Sequence, residues 1–408
     1  MTDAKRWIVV VEEPFLPADA GGRVETFSFL LAALAAGVDA RVVIPAQTGL
    51  DLTDYEAALP GVTFGLTPRD RGPRAILTGQ PYVHSSRPTR ALRRELAGTT
   101  PRADAVISYS CRSSHLGEEI AQAWGIPHLV RAHNVDSEYF RVLASNSSGA
   151  RRIGYELEYH KLRRAEQDMH HSPFVTCIAD ISLADHAWRA ARASVPTMHL
   201  PPFLPAHIVA GGANEAGGAD GAGGAEAGGA EVAREPAELL FVGSLDTPTN
   251  IEAIRWLAAQ AWPLVRERRP DATLTVVGRR AEPGLLAELR AIDGATVHTD
   301  VPAVTPYLRR AAVSINPTRS GSGVNIKAVE AMAAGLPVVT TDVGARGLDW
   351  QPERDLLVGA DLAGFVEAVL RLLDDKALAG RIGAAGQAFV TRELDHRTLI
   401  ERVAAALG

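Results

Sequence analysis

Cysteine is nearly absent: Cys111 and Cys177 are the only two in 408 residues. That count argues against a disulfide framework or a structural zinc site and leaves both residues as small buried hydrophobes. Long apolar runs are missing too, since no stretch approaches the ~18 to 20 apolar residues of a membrane span. The opening MTDAKRWIVVVEEPF passes from a short charged lead into a strand without an apolar signal core, so a cytoplasmic chain is expected. Positive charge is not in excess. A formal net charge of −6 supplies no basic field for nucleic acid. Adjacent His170 and His171 cannot share a helix face, and no metal site is expected there. What is present is ordinary globular composition, 46% hydrophobic and 22% charged, in a length suited to two domains of comparable size.

The most informative stretch is Ala312 to Gly335, AVSINPTRSGSGVNIKAVEAMAAG. Ala312 to Ile315 is short, apolar and partly β-branched, as in a strand buried on both faces of a parallel sheet. Pro317, Ser320, Gly321, Ser322 and Gly323 then forbid a regular element, and Ser322 is placed to cap a helix running Val324 to Ala334, which Gly335 stops. Strand, glycine loop and helix in that order leave backbone N–H groups and a helix dipole at the carboxyl edge of a sheet, where a phosphate is stabilised. Lys327 in the first turn and Glu330, about 4.5 Å of rise farther on, lie on one face. A nucleoside diphosphate suits this spacing, with phosphates at the helix start and ribose hydroxyls on Glu330. A surface ion pair worth a few tenths of a kcal/mol is the competing account.

The rest of the chain alternates strand and helix. Trp7 to Val11 is a strand, Gly21 and Gly22 open a helix with Val24, Phe27, Leu30, Leu31 and Leu34 at helical spacing, Gly37 ends it, and Ala40 to Ile44 is the second strand. The two glycines serve either a tight turn or ligand contact. Strand Ala105 to Ser108, helix Leu116 to Trp124 and strand His128 to Arg131 follow. His133 and Asn134 then stand at the carboxyl edge where open α/β sheets bind ligands, though a loop histidine bonded to backbone fits the same position. A charged helix from Arg151 to His171 with Tyr155, Leu157, Tyr159 and Leu162, strand Phe174 to Ile178 and a helix from Leu183 to Ala191 complete the half. Arg87, Arg90, Arg93 and Arg94 around Leu92 and Leu96 read as a solvated basic helix face, or as contact with an anionic acceptor or membrane surface.

Residues 206–237 are glycine, alanine and acidic residues with little to bury, expected to be a disordered linker. Beyond them, strand Leu239 to Val242 leads into Gly243 and Ser244. A helix from Asn250 to Arg268 carries Ile251, Ile254, Leu257 and Leu264, and strand Ala272 to Val277 ends at Arg279 and Arg280. After helix Leu285 to Ala291 and strand Ala295 to His298 comes the central stretch, then strand Pro337 to Thr341 and helices near Leu362 to Leu373 and Ala377 to Val390.

In this order FVGSLD with PTN, then LTVVG, then a short helix at Tyr307, then GSGVNIKAVEAMAAGLPVVTT resemble the nucleotide-sugar domain of the family 4 (group 1) retaining glycosyltransferases of the GT-B fold. GGRVETFSFLLAALAAGVDARVV and LVRAHNVDSEYF resemble that family's first βαβ turn and His-Asn segment, so the resemblance covers nearly the whole chain. It implies an α/β protein of two Rossmann-like, doubly wound parallel-sheet domains facing across a cleft. The boundaries are an acceptor domain at 1–205, the linker at 206–237, a nucleotide-sugar domain at 238–393 and a helix at 394–408 crossing back to the first domain.

The resemblance further implies transfer from a UDP- or GDP-sugar to an acceptor with retention, with no metal or other cofactor. Glu330 matches the carboxylate that holds the ribose, and Gly323, Val324 and Asn325 match the amides at the donor phosphates and sugar. His133 matches the histidine near the donor sugar, Gly21 and Gly22 the turn facing the diphosphate, and Val301 the backbone that meets the base. Gly243 belongs to the same donor loop. The chain departs from the family where a second glutamate is usual, at Ser322, and where an arginine and a lysine are usual, at Ser244 and Asn250. Lys327, aided by Arg319 or Arg279, is expected to supply the missing positive charge. The acceptor is a small molecule, a glycan or a lipid-linked precursor, with peripheral membrane contact left open and no nucleic-acid partner. Two other readings are a nucleotide-sugar-binding subunit without catalysis and a related enzyme such as a nucleotide-sugar epimerase or hydrolase.

Overall fold

The structure, a computed structural model, describes residues 5–18, 21–46, 49–70, 72, 75, 78–96, 103–206, 234–320 and 323–408. The described residues fall into two compact units, one within Met1–Leu204 plus His396–Gly408 and one within Pro205–Asp395. Most of the expected linker, and Ser322 with it, lies outside the described residues. Arg234 already belongs to the second unit, where its guanidinium donates to the carbonyls of Leu308, Ala311 and Ala334 at 3.1, 2.9 and 3.1 Å.

The first unit is built on seven parallel strands: β1 (Arg6–Val11), β2 (Asp39–Ala46), β3 (Thr63–Pro68), β4 (Ala105–Tyr109), β5 (His128–Ala132), β6 (Cys177–Asp180) and β7 (Thr197–His199). Their order is β3-β2-β1-β4-β5-β6-β7, so the winding reverses between β1 and β4. β1 pairs Val9 with Val42 on one side and with Ile107 on the other. β1 reads as an unbroken apolar run from Trp7 to Val11 because both of its faces are buried. The C-terminal helix His396–Ala406 adds Leu399, Ile400 and Val403 to the core that holds Trp7, Phe29 and Phe203.

Helix Gly21–Ala35 buries Glu25, Phe29, Leu30 and Ala33, while Leu31 is 38% exposed. The inward stripe is thus turned from the one the apolar residues alone suggest, because a charged residue is part of it. Other differences also have local causes. β6 lies at Cys177–Asp180, later than Phe174 to Ile178, with Thr176 donating its amide to the His128 carbonyl ahead of it. Leu157 is 59% exposed on helix Gly149–His170, and sequence reading passed over helix Asp136–Ser145. Arg87 is not on a solvated face: it precedes helix Thr89–Leu96 and is 3% exposed.

The second unit has six parallel strands: β8 (Glu238–Val242), β9 (Thr273–Gly278), β10 (Ala295–Thr299), β11 (Val313–Asn316), β12 (Val338–Thr341) and β13 (Leu357–Gly359). The order β10-β9-β8-β11-β12-β13 places its reversal between β8 and β11. The single helix expected from Asn250 to Arg268 is Pro248–Trp256, a π turn at Leu257–Ala261, and Trp262–Arg268. A π turn adds a residue to the winding. The inward set therefore becomes Trp262 and Val265, and Leu264 is 39% exposed.

Candidate functional site

In open α/β sheets, ligands bind beyond the carboxyl ends of the strands where the winding reverses. The second unit's reversal is flanked by the loop after β8, with Gly243 and Ser244, and the loop after β11, leading to helix Ile326–Ala333. That helix starts later than expected. Asn325 holds the cap position with φ −82° and ψ 89° and makes no side-chain cap bond, while its carbonyl accepts from the Ala328 amide at 3.0 Å. Gly323 at φ +83° keeps the chain out of the helix, since a left-handed residue breaks the winding. The backbone here is crowded: a Cβ on Gly347 would lie 2.9 Å from the Gly323 carbonyl.

Lys327 and Glu330 are half-buried on this helix. The Lys327 ammonium donates to Asn250 Oδ1 at 2.6 Å and lies 5.1 Å from the centre of the Phe241 ring. Asn250 is held in turn, donating Nδ2 to the Ser244 carbonyl at 3.0 Å. Burial pushes the Lys327 ammonium down to about 8, although the Glu330 charge opposes the shift. Burial likewise pushes the Glu330 carboxyl up to about 7 against Lys327 and Arg279. This is not a solvated surface pair. Both groups are partly withdrawn from water and titrate near neutrality, the pattern of a functional site.

The expected donor residues separate into those joined by bonds and those placed apart. Gly243, Ser244, Asn250 and Lys327 form one set, and the tightness of the Gly243 turn is real: a Cβ there would sit 3.1 Å from Asn250 Nδ2. Ser244 Oγ donates to Asp246 Oδ1 at 2.7 Å and accepts from Arg280 Nη2 at 3.2 Å. Sequence reasoning passed over Arg280, which also pairs with Asp246 at 2.9 Å. Arg279 contributes its charge at Glu330. Arg319 lies over Trp256, 5.5 Å from the ring centre. Val301 is partly exposed after β10, next to Asp300, whose carboxylate accepts from the Arg280 amide at 3.1 Å.

In the first unit Gly22 and His133 do meet. A Cβ on Gly22 would stand 3.6 Å from His133 Nδ1, so the glycine leaves the ring room. The other ring nitrogen, Nε2, is 3.0 Å from Glu25 Oε2, and Tyr109 meets the ring edge-on with centroids 5.2 Å apart. Glu25 also accepts from Arg131 Nε and Nη2 at 3.1 and 2.8 Å. Arg131 continues to the Leu200 and Pro201 carbonyls at 2.5 and 2.8 Å. Burial alone would raise the Glu25 carboxyl, but Arg131 and His133 overcome it and hold it at about 2. The ionised Glu25 accepts a hydrogen bond from Nε2–H and leaves Nδ1 facing Gly22, a proton placement assigned from the network. Glu25 and Arg131 were not singled out from the sequence. The available signal was a carboxylate four residues before Phe29 on an inward helix face and an arginine inside a strand, each needing a partner once buried.

Residues 236–375 match the family described as Glycosyl transferases group 1. Glycogen synthase of Mycobacterium tuberculosis is 32% identical over 176 residues, 40% of this chain and 40% of that protein. Phosphatidyl-myo-inositol mannosyltransferase of the same organism is 32% identical over 172 residues, 39% of this chain and 44% of that protein. The matches thus span less than half the length of these relatives. Among solved structures, the Anabaena protein HepE in complex with UDP aligns at a TM-score of 0.62 over 99% of both chains, at 12% identity. The fold is of the GT-B class, with two Rossmann-like parallel-sheet units.

Proposed function

We propose that the protein is a retaining glycosyltransferase that takes a hexose from a nucleotide-diphosphate sugar and moves it to an acceptor hydroxyl. The observation that carries this reading is the half-buried Lys327–Asn250–Ser244 chain beside Glu330 at the second unit's winding reversal. At the two positions where the resembling family has an arginine and a lysine, this chain has neutral residues that another cation reaches: Arg280 meets Ser244, and Lys327 meets Asn250. Positive charge is thereby restored by different residues, with Lys327 the principal group. The match of residues 236–375 and the glycosyltransferase names of the relatives support the same reading. HepE was solved in complex with UDP, which makes UDP the first donor base to try.

In this mechanism the bond from the anomeric carbon to the diphosphate oxygen breaks while the acceptor oxygen adds from the same face. The acceptor proton passes to the departing phosphate oxygen. The diphosphate gathers negative charge as it leaves, so fixed donors and cations do most of the catalytic work. Lys327 and the amides from Gly323 to Asn325 are assigned to that charge, Glu330 to the ribose hydroxyls and His133 Nδ1 to a sugar hydroxyl. No metal is required, and turnover is expected to persist in EDTA.

The test is incubation with UDP-glucose, UDP-N-acetylglucosamine and GDP-mannose, reading released nucleotide and the anomeric proton of the sugar product by NMR. Release of one nucleotide with retained configuration is expected. An inverted product would reject the same-face mechanism. Tight nucleotide binding with neither transfer nor hydrolysis would favour a binding subunit, and an altered nucleotide sugar an epimerase.

A further inference from the structure

We propose that the carboxyl edge of the first unit's sheet binds an anionic group of the acceptor, a phosphate or a carboxylate, with Arg69 as its direct ligand and Arg87 and Arg112 as fixed charge behind it; the word acceptor rests on the transferase reading above. The site lies where that sheet's winding reverses. Glu12 directly follows β1 and Arg112 follows β4, the two strands that flank the reversal.

Arg87 and Arg112 are already engaged. Arg87 donates Nε and Nη2 to the Glu12 carbonyl at 2.9 and 2.6 Å and Nη1 to the Val83 carbonyl at 2.5 Å. Arg112 holds Asp136 at 3.0 and 2.9 Å and lies 3.8 Å from the Glu12 carboxylate. Arg69 differs. Its amide donates to the Ala46 carbonyl at 2.9 Å, and the next amide, Asp70, donates to the Ser86 carbonyl at 2.8 Å, which brings Arg69 beside Arg87. Arg69 Nε is shut off from solvent, yet among the described residues it has no hydrogen-bond acceptor.

A buried donor without an acceptor costs about 1–3 kcal/mol. The Arg87 guanidinium meets the like charges of Arg69 and Arg112 as well as the carboxylates of Glu12 and Glu13. Burial and then the neighbouring Arg69 charge lower Arg87 to about 10. A water molecule would satisfy Nε without offsetting that charge. An oxyanion does both, and guanidinium groups match phosphate and carboxylate geometry.

The experiment follows the arginine Nε–Hε NMR signals of the whole protein, with the Arg69 signal identified by its loss in Arg69→Lys, during titration with inorganic phosphate, acetate and chloride. Saturable movement of the Arg69 signal by phosphate or acetate, at least about tenfold tighter than by chloride, is expected, with the exposed Arg93 signal unmoved. The stronger of the two anions identifies the acceptor's group. Arg69→Ala should keep its UDP affinity, which shows that the variant folds, while phosphate and acetate leave its remaining arginine Nε–Hε signals unmoved. If UDP binds but phosphate and acetate leave the Arg69 signal unmoved, the transferase reading stands and this inference fails. If phosphate moves the signal in a protein that binds no nucleotide, the assignment to a glycosyl acceptor is overturned.

Discussion

Beside the β1–β4 reversal the Glu25 carboxylate takes bonds from Arg131 and His133, and the pair is sealed, with Arg131 and Glu25 side chains 1% and 4% exposed. Beside the β8–β11 reversal the Lys327 ammonium meets a neutral amide oxygen, and the half-buried Glu330 lacks enough positive charge to keep it ionised below about 7. The first arrangement is complete before any ligand arrives and serves to fix one imidazole. The second leaves charge incompletely met on both sides, the arrangement that the proposed nucleotide diphosphate would complete.

The largest effect should come from opening the closed network. Glu25→Ala strands Arg131 in the core, and removing one partner of a buried pair typically costs about 3–5 kcal/mol. Urea unfolding should show that loss, whereas Arg131 replaced together with Glu25 by apolar residues of similar volume should recover much of it. A stable Glu25→Ala protein would mean the first network is no more than a surface pair. Next in size is Lys327→Ala, expected to lower kcat/KM by about 100-fold, in the range for loss of one fixed group at a developing oxyanion. Its unfolding midpoint should barely move, because the ammonium is poorly compensated already.

The pH dependence sharpens the contrast. In the free protein Glu330 becomes a carboxylate above about 7 and Lys327 loses its proton above about 8. Since kcat/KM reports the free enzyme, it should rise through the first value and fall beyond the second, giving a narrow maximum. Glu330→Gln should remove the acid limb and Lys327→Arg the alkaline one. Glu25, ionised down to about 2, should contribute no limb in this range. The smallest effect is expected from Asn250→Ala, which frees Lys327 without deleting its charge. A loss of UDP affinity of about fivefold, roughly 1 kcal/mol, that vanishes in the Lys327→Ala background would show that Asn250 acts through Lys327.

Periodicity and glycine placement made the two parallel sheets legible, because buried parallel strands are largely apolar. The second-unit site was legible for the same reason: Lys327 and Glu330 lie on one short helix after one strand. Their link to Asn250 spans 77 residues and is set by the sheet order rather than by local spacing. The Glu25–Arg131 pair is separated by 106 residues, and each member alone reads as an ordinary charged residue. Arg87 was misplaced on a solvated face because its acceptors, the Glu12 and Val83 carbonyls, are backbone groups that no side-chain pattern announces.

Calorimetric titration of the purified protein with UDP and with GDP, repeated on Glu330→Ala and Lys327→Ala, tests the central claim most directly. The account predicts that one diphosphate binds the parent protein, that Glu330→Ala abolishes the binding and that Lys327→Ala weakens it at least tenfold. Unchanged affinity in Lys327→Ala would contradict the relocated cation. Failure of both nucleotides to bind the folded protein would contradict the donor site itself.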